Sequence, residues 1–567
     1  MKVSDIKYER YTLEAANEGF ERFKCAAEGA RSAEEVAAAR REFIDGVYTE
    51  YATASALANC RFTLDTRDEF YQAEMSYYDE VSPLFEQIFT QYADIMLSSP
   101  FRKELETLIG SRIFALYEVS KKAFSEEIVE DMQKENALVT EYSKFMSELP
   151  FFYDGEKMPL SVLRGKLEDT DRSVRKKAAD AIGEGLAAAA DTLDRIFDEL
   201  VHLRDKMAKK MGYKNFIELG YYRMNRIDYD AEAVKKFRDN VAKYIVPCVV
   251  GLKASVAERL SLDGLKFYDD AVYSEGETPK PMLGRDGIFA EAQKMYDEMS
   301  DEIGAFMREM LDAEAFDVDA RDGKWGGGYC TEFPKYKQPF ILANFNGSAG
   351  DIDVITHEFG HAFAAKNSFV YGDAELSVGG METAECHSMS MEFLCWRGME
   401  RFFAEPEKYK YSHFCGALSF IPYGTIVDEF QHIIYENPDL TPKERNGVYR
   451  SLEAKYRPYL SFEGIPYLEE GTRWQYQMHI YETPFYYIDY CLAQTVALWF
   501  LKMSRSDYDG ALEKYIEFSR AGGTLPFDEL LTRAGIPSPF CDGSLSRLSD
   551  ECEVIAEETR THTPCGE

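Results

Sequence analysis

The chain has 567 residues, of which 45% are apolar, 29% charged and 14% aromatic, a composition that excludes a disordered chain and suffices for two lobes or one large layered domain. Its 100 acidic against 65 basic side chains leave a net charge of −35, a surface that repels nucleic-acid backbones and anionic membranes alike. The charged N-terminus MKVSDIKYERYTLEAANEGF predicts no secretory leader, no stretch approaches the apolar length of a membrane span, and 11 cysteines scattered from Cys25 to Cys565 without a CxxC pair point to free thiols in a reducing cytoplasm.

The N-terminal half reads as one helix after another. In RSAEEVAAARREFIDGVYTEY, Ser32 with Glu35 predicts a capping box, and Phe43, Ile44, Val47, Tyr48 and Tyr51 recur at the spacing of a buried helical stripe. LEDTDRSVRKKAADAIGEGLAAAADTLDRIFDELVHLRDKMAKK predicts a second, long helix with its capping residues between Asp169 and Ser173. The character changes in RDGKWGGGYCTEFPKYKQPFILANFNGSAGD, where three glycines at 326–328, the apolar run from Phe340 to Phe345 and an Asn346-Gly347 turn predict a short sheet.

Helical periodicity then resumes in DIDVITHEFGHAFAAKNS. Residues four apart on a helix project from nearly one direction, so His357 and His361 converge on a point, and Glu358 is turned to its side, where it can hold a metal-bound water without binding the metal. The apolar neighbours Phe359, Gly360, Ala362 and Phe363 imply a buried helix, and a buried imidazole pair needs a partner. A catalytic zinc takes three protein ligands and leaves one position for water. The helix predicted in GGMETAECHSMSMEFLCWRGME supplies Glu385, 24 positions beyond His361; Glu392, seven residues further, shares its face and is placed to brace the site. Glu382 also shares that face, whereas His387 points away as a core or surface histidine. Asp353, four residues before His357, either orients an imidazole or caps the helix.

HEFGHAF followed by TAECHSMSMEF resembles the thimet oligopeptidase and oligoendopeptidase F family of zinc peptidases, whose third ligand sits in an A-E-x-x-S-x-x-x-E segment like Ala384, Glu385, Ser388 and Glu392. PFILANFNGSAGD and LEDTDRSVRKKAADAI are similar to further parts of that family, so the likeness touches most of the chain. In QMHIYETPFYYIDYCLAQ, Thr483 before Pro484 predicts a helix start, with Tyr487 and Tyr490 on one face, Gln494 a turn later and Tyr486 in the core. The resemblance implies that His479 and a tyrosine, Tyr490 or else Tyr487, donate hydrogen bonds to the reacting carbonyl. The thimet branch has a glycine-rich loop before its catalytic tyrosine, and HIYETPFYY has none, so the segment looks more like the bacterial oligoendopeptidases of the Pz-peptidase type.

The fold implied is a mainly α, two-lobed helical zincin with a small sheet beside the zinc helix and a substrate channel between the lobes, divided into residues 1–200 as an N-terminal helical lobe and 201–567 as the catalytic region. The activity implied is endopeptidase cleavage of unfolded oligopeptides with one Zn2+ per chain held by His357, His361 and Glu385. The strand from Phe340 to Phe345, with Ala343 and Asn344, is expected to offer its edge to an extended peptide, and Gly327 and Gly328 either admit that peptide or form a tight turn. An angiotensin-converting-enzyme-like dipeptidyl carboxypeptidase shares a similar histidine-to-glutamate interval, but PFYYIDY argues against it. A non-catalytic peptide-binding protein would have little reason to keep the general base with all three ligands.

Overall fold

Two of the helices in this computed structural model, which describes residues 1–376 and 379–561, begin at side-chain caps close to where the sequence places them. Ser32 accepts the Glu35 N–H, but the Glu35 carboxylate reaches back to the Arg31 N–H rather than to Ser32, so the expected box closes one residue early. Asp171 caps the unbroken 39-residue helix Arg172–Lys210, which at 1.5 Å per residue is about 58 Å long. Among the described residues the sheets are three, none with more than three strands, and the fold is the helical zincin that the motifs imply.

Two apolar cores form. Ala16, Phe20, Phe23, Phe43, Phe85, Tyr92, Phe114 and their neighbours make a separate N-terminal core, and a larger one gathers the remainder, including Leu193 to Val201 of the long helix. The helix Arg172–Lys210 runs unbroken past residue 200 inside the larger core, which also takes in Val3, Ile6, Leu57 and Cys60 from the N-terminal region. The N-terminal core is tied to the segment following the histidine motif, where Arg40 binds Asp373 and Glu375. One helical run, Ala231–Arg259, is by length and composition alone able to cross a membrane, but charged residues interrupt it and its Val234, Phe237, Val241, Ile245, Val249 and Val256 are buried in the larger core. Ten cysteines are free thiols; Cys565 lies outside the described residues.

Three helices and one sheet carry the site. The histidine helix is Gly350–Ser368, the glutamate helix Met381–Leu394 and the tyrosine helix Tyr487–Ser506. Phe359 stacks on Tyr296 and packs on Phe306, which also meets Phe363, fixing the rotation of the histidine helix about its axis. The sheet runs in the order Phe316–Asp319, Gln338–Phe345, Tyr329–Phe333, with the eight-residue strand central, parallel to the first and antiparallel to the last.

The third residue of HEFGH decides how near the ligands come. A Cβ on Gly360 would lie 2.6 Å from the His387 carbonyl oxygen and 2.7 Å from the Ser388 Cα, both backbone atoms of the glutamate helix. Glycine is about 1 kcal/mol worse than alanine inside a helix; here it allows two backbones to touch. Gly360→Ala is expected to push the glutamate helix outward and lower zinc affinity at least tenfold while far-UV circular dichroism stays that of the parent, which metal titration against a chelating indicator checks.

The glutamate and tyrosine helices meet over a buried polar cluster. Arg226 donates to Asp489 at 2.7 Å, and the Tyr229 hydroxyl lies 2.8 Å from Asp489 and 3.3 Å from Glu382. One guanidinium serves two carboxyls, and burial together with the Asp489 charge pushes Glu382 up to about 7. A carboxyl raised in the folded state leaves stability intact below its unfolded value and removes it as pH rises through the folded one. Glu382→Gln should therefore stabilise the protein at pH 8, on the order of 3 kcal/mol for a shift of this size, and by less than about 1 kcal/mol at pH 5. Denaturant unfolding at the two pH values measures this difference.

Candidate metal centre and active site

His357 and His361 stand one turn apart with ring centroids 5.0 Å from each other, and the Nε2 of each is 3.4 Å from Glu385 Oε2. Bonds of about 2.0–2.1 Å around a tetrahedral zinc space its ligands about 3.4 Å apart. Together they form a three-residue group that could hold a metal ion, with all candidate ligand atoms within 4.8 Å of one another, and the donor set fits zinc. The imidazoles are 22% and 21% exposed whereas Glu385 is buried, so the site opens on the histidine side. Burial acts to raise the Glu385 carboxyl, but the His361 and His357 rings prevail and hold it well below its ordinary range.

Glu392 braces both a ligand and a second imidazole. His357 Nδ1 is 2.6 Å from Glu392 Oε1, and His413 Nε2 is 2.7 Å from Glu392 Oε2. Trp396 donates its indole N–H to His413 Nδ1 at 2.9 Å. An indole can only donate, so His413 carries its proton on Nε2, facing Glu392; the other carboxylate oxygen draws the His357 proton to Nδ1 and leaves the Nε2 lone pair free for a metal. Burial raises Glu392, but the bonds from His357 and His413 outweigh it and bring the group to about 2. Asp353 neither touches an imidazole nor caps the helix. It accepts the Tyr409 hydroxyl, and the Tyr409 ring stacks on His413; the turn before the helix is closed instead by Asp351, which accepts the Asn346 and Gly347 N–H groups.

Glu358 is 7% exposed, and burial raises its carboxyl against the opposing pull of His357 and His361. The Cys330 backbone N–H faces this carboxylate and draws it down, and Glu358 Oε2 is buried without a partner, left to take a proton. Of the rival residues, Glu382 lies in the polar cluster described above, and His387 is a buried core histidine packed on Phe518 with its ring held neutral, down at about 3, by burial.

The tyrosine segment departs from its periodic reading. Thr483 and Pro484 precede a turn, and the helix starts only at Tyr487 because buried Phe485 takes a left-handed φ of 70°. Its N–H is held by Gln431 Oε1 and its carbonyl by Arg226, and its ring meets Phe216, Tyr221, His432 and Tyr435. That turn swings Tyr486 out of the core it was expected to fill, so that its hydroxyl donates to Glu385 Oε1 at 2.6 Å. The Tyr490 ring lies 4.9 Å from that of Tyr486, and the Glu385 and Glu358 charges both bear on its hydroxyl. Tyr487 packs instead between His479, Phe420 and Tyr423. His479 is near all three tyrosines, with centroids 5.0 to 5.8 Å away, and burial, opposed by Glu385, lowers it to about 4.

The expected peptide edge is corrected by the sheet order. The strand Gln338–Phe345 is paired on both sides, Ala343 is buried with its carbonyl accepting from Lys324, and the Asn344 amide donates to the Trp325 and Gly327 carbonyls. These residues hold the glycine loop. Gly327 is needed for close packing, since a Cβ there would lie 2.0 Å from the Trp325 ring, whereas one on Gly328 would make ordinary contact with the Leu342 carbonyl. Two strands have a single partner, Phe316–Asp319 and Tyr329–Phe333, and Cys330 of the second bears on Glu358. Tyr486, His413 and Gln477, treated below, escape a sequence reading; a histidine four residues after Tyr409 is the sole local hint of any of them.

Comparison with known proteins agrees with this geometry. The N-terminal domain of peptidase M3 matches residues 3–124, and peptidase family M3 matches 166–282 and 289–549. The chain is 23% identical over 526 residues to oligopeptidase PepF of Bacillus subtilis (strain 168), covering 84% of this chain and 74% of that protein. The structure of Pz peptidase A with an inhibitor superposes with a TM-score of 0.95 at 42% identity, over 98% of this chain and 99% of the other. A Bacillus anthracis (strain Ames) protein assigned to oligoendopeptidase F gives 0.90 at 39% identity, with 99% of each chain covered. With family M3 matched along most of its length and a two-histidine, one-glutamate centre folded in place, the chain belongs to peptidase family M3 and is a metalloendopeptidase of the oligoendopeptidase F and Pz-peptidase kind.

Proposed function

We propose that the protein hydrolyses internal bonds of short, unfolded oligopeptides with one zinc ion per chain and Glu358 as general base. The observation that carries this reading is the set of 3.4 Å separations joining His357, His361 and Glu385 beside an unpartnered Glu358 oxygen. Zinc, when held by those three residues, acidifies water and polarises a peptide carbonyl.

Glu358 Oε2 takes the proton of the attacking water, and the same carboxyl then delivers it to the leaving amine nitrogen. The Cys330 backbone N–H beside it draws the carboxylate towards its ionised form. His479 and Tyr490 donate to the carbonyl oxygen as charge develops there; a neutral imidazole and an un-ionised phenol can both do so near pH 7. Tyr486 holds Glu385 at Oε1 and so directs Oε2 to the metal. A peptide added to the free side of Tyr329–Phe333 would lie along the strand that also steers the base. Small, unfolded substrates are supported by the oligopeptidase relatives and by imidazoles only about a fifth exposed; a channel between the lobes would account for that restriction. Ten free thiols support a reducing, cytoplasmic setting.

Glu358→Gln is expected to lower kcat by about a thousandfold or more on internally quenched peptides blocked at both ends, with about one zinc per chain by elemental analysis. Full activity in that variant would remove Glu358 as the base. Tyr490→Phe should lower kcat about a hundredfold with little change in KM, the size of one lost donor to a developing oxyanion, whereas Tyr487→Phe should lower it less than tenfold. Equal losses from the two would reverse the choice between them.

A further inference from the structure

Gln477 occupies the extended residue between the short turns Arg473–Tyr476 and Met478–Glu482, and its side chain is 8% exposed between two polar partners. The Tyr423 hydroxyl lies 2.5 Å from Gln477 Oε1, and Gln477 Nε2 lies 2.9 Å from His479 Nδ1. The first distance fixes the amide. It falls within the range of O–H···O bonds, about 2.5–3.0 Å, and below that of N–H···O bonds, about 2.7–3.2 Å, so the atom facing Tyr423 is the carbonyl oxygen. The amide N–H group consequently faces His479, and Nδ1 must accept.

Tyr423 is itself held in place. The Arg473 guanidinium carbon is 3.9 Å from its ring centroid and that of Arg457 is 5.3 Å away, while Arg457 is anchored by two bonds to Glu453. The Tyr487 ring closes another side at 5.8 Å. A clamped phenol with one acceptor in reach donates in one direction only.

We propose that Gln477 is a positioning residue for the hydrolytic reaction: relayed from Tyr423, its amide N–H fixes His479 as the neutral tautomer that carries its proton on Nε2, the nitrogen available to a carbonyl oxygen in the site. This rests on His479 acting as a donor, as proposed above. The groups around the ring leave the assignment intact. Tyr486, Tyr487 and Tyr490 of the tyrosine helix face it as un-ionised phenols, and Glu385 of the glutamate helix is the charge that bears on it. A wrong tautomer would turn a lone pair towards the oxygen and repel it.

The test is the near-isosteric Gln477→Glu variant in the zinc-loaded enzyme, with 15N-histidine labelling to read the ring. A carboxylate accepts from Nδ1, so the neutral ring then carries its proton on the wrong nitrogen and the Nε2–H donor exists only in the imidazolium. Relative to the parent, kcat should be retained within about threefold at pH 6 and fall at least tenfold by pH 9, through an ionisation the parent lacks. Gln477→Met, with neither donor nor acceptor, should lose activity equally at both pH values. In the parent, the His479 resonances, identified by their loss in His479→Phe, should show a bare Nδ1 and a protonated Nε2, and the two should exchange roles in Gln477→Glu at high pH. A parent ring protonated on Nδ1, or a Gln477→Glu profile parallel to the parent's, overturns the inference. Undiminished activity in His479→Phe overturns the donor role beneath it instead, and the ring resonances still report the tautomer.

Discussion

The histidine and glutamate helices touch backbone to backbone at Gly360, and almost everything chemical in this protein depends on that approach. Two imidazoles on one helix can point at a common spot without any help, because the helical repeat puts them there. A carboxylate from another helix cannot join them unless the two axes come closer than side chains ordinarily allow. With no Cβ in the crossing, Glu385 reaches both nitrogens at 3.4 Å, and the polar atoms brought together so tightly must then be satisfied from elsewhere. Tyr486 satisfies Glu385, and Glu392 satisfies His357.

Burial and pairing divide the carboxylates of the region by task. Glu385 and Glu392 lie against imidazoles that hold both carboxyls low, the state a metal-holding carboxylate and its brace require. Glu358, also buried but with its Oε2 unpartnered, has its affinity for protons raised by burial. Glu382, three residues from Glu385 on the same helix, is pushed furthest and serves neither chemistry. Neighbouring acidic residues thus acquire different roles from their surroundings, with no difference in their own chemistry.

Those features fixed by local repeat were legible in the sequence. The convergence of His357 and His361 with Glu358 to one side follows from helical spacing, and the helical character of the fold from capping signals and apolar periodicity; Glu382, Glu385 and Glu392 share one face by spacing, and only the family resemblance singles out Glu385. What was not legible depends on pieces meeting from afar. A bulky Phe485 in the left-handed region is enforced by Gln431 and Arg226, 54 and 259 residues away, so nothing nearby announces that Tyr486 will leave the core. Strand order is equally hidden: the run ending at Phe345 looked like an edge, yet lies between two partners. Its five consecutive buried residues, Pro339 to Ala343, are the pattern of a strand covered on every side, and that was the available clue.

His413 and Tyr423 both belong to the helix Pro406–Glu436. Through Glu392 the first governs the ring of a metal ligand, and through Gln477 the second governs the ring of a prospective hydrogen-bond donor. Ten residues of a single rod, about 15 Å, thereby set the two flanks of the cleavage apparatus against a common gauge. Any substitution that slides or rolls this rod would detune both flanks at once, even at a position remote from the substrate.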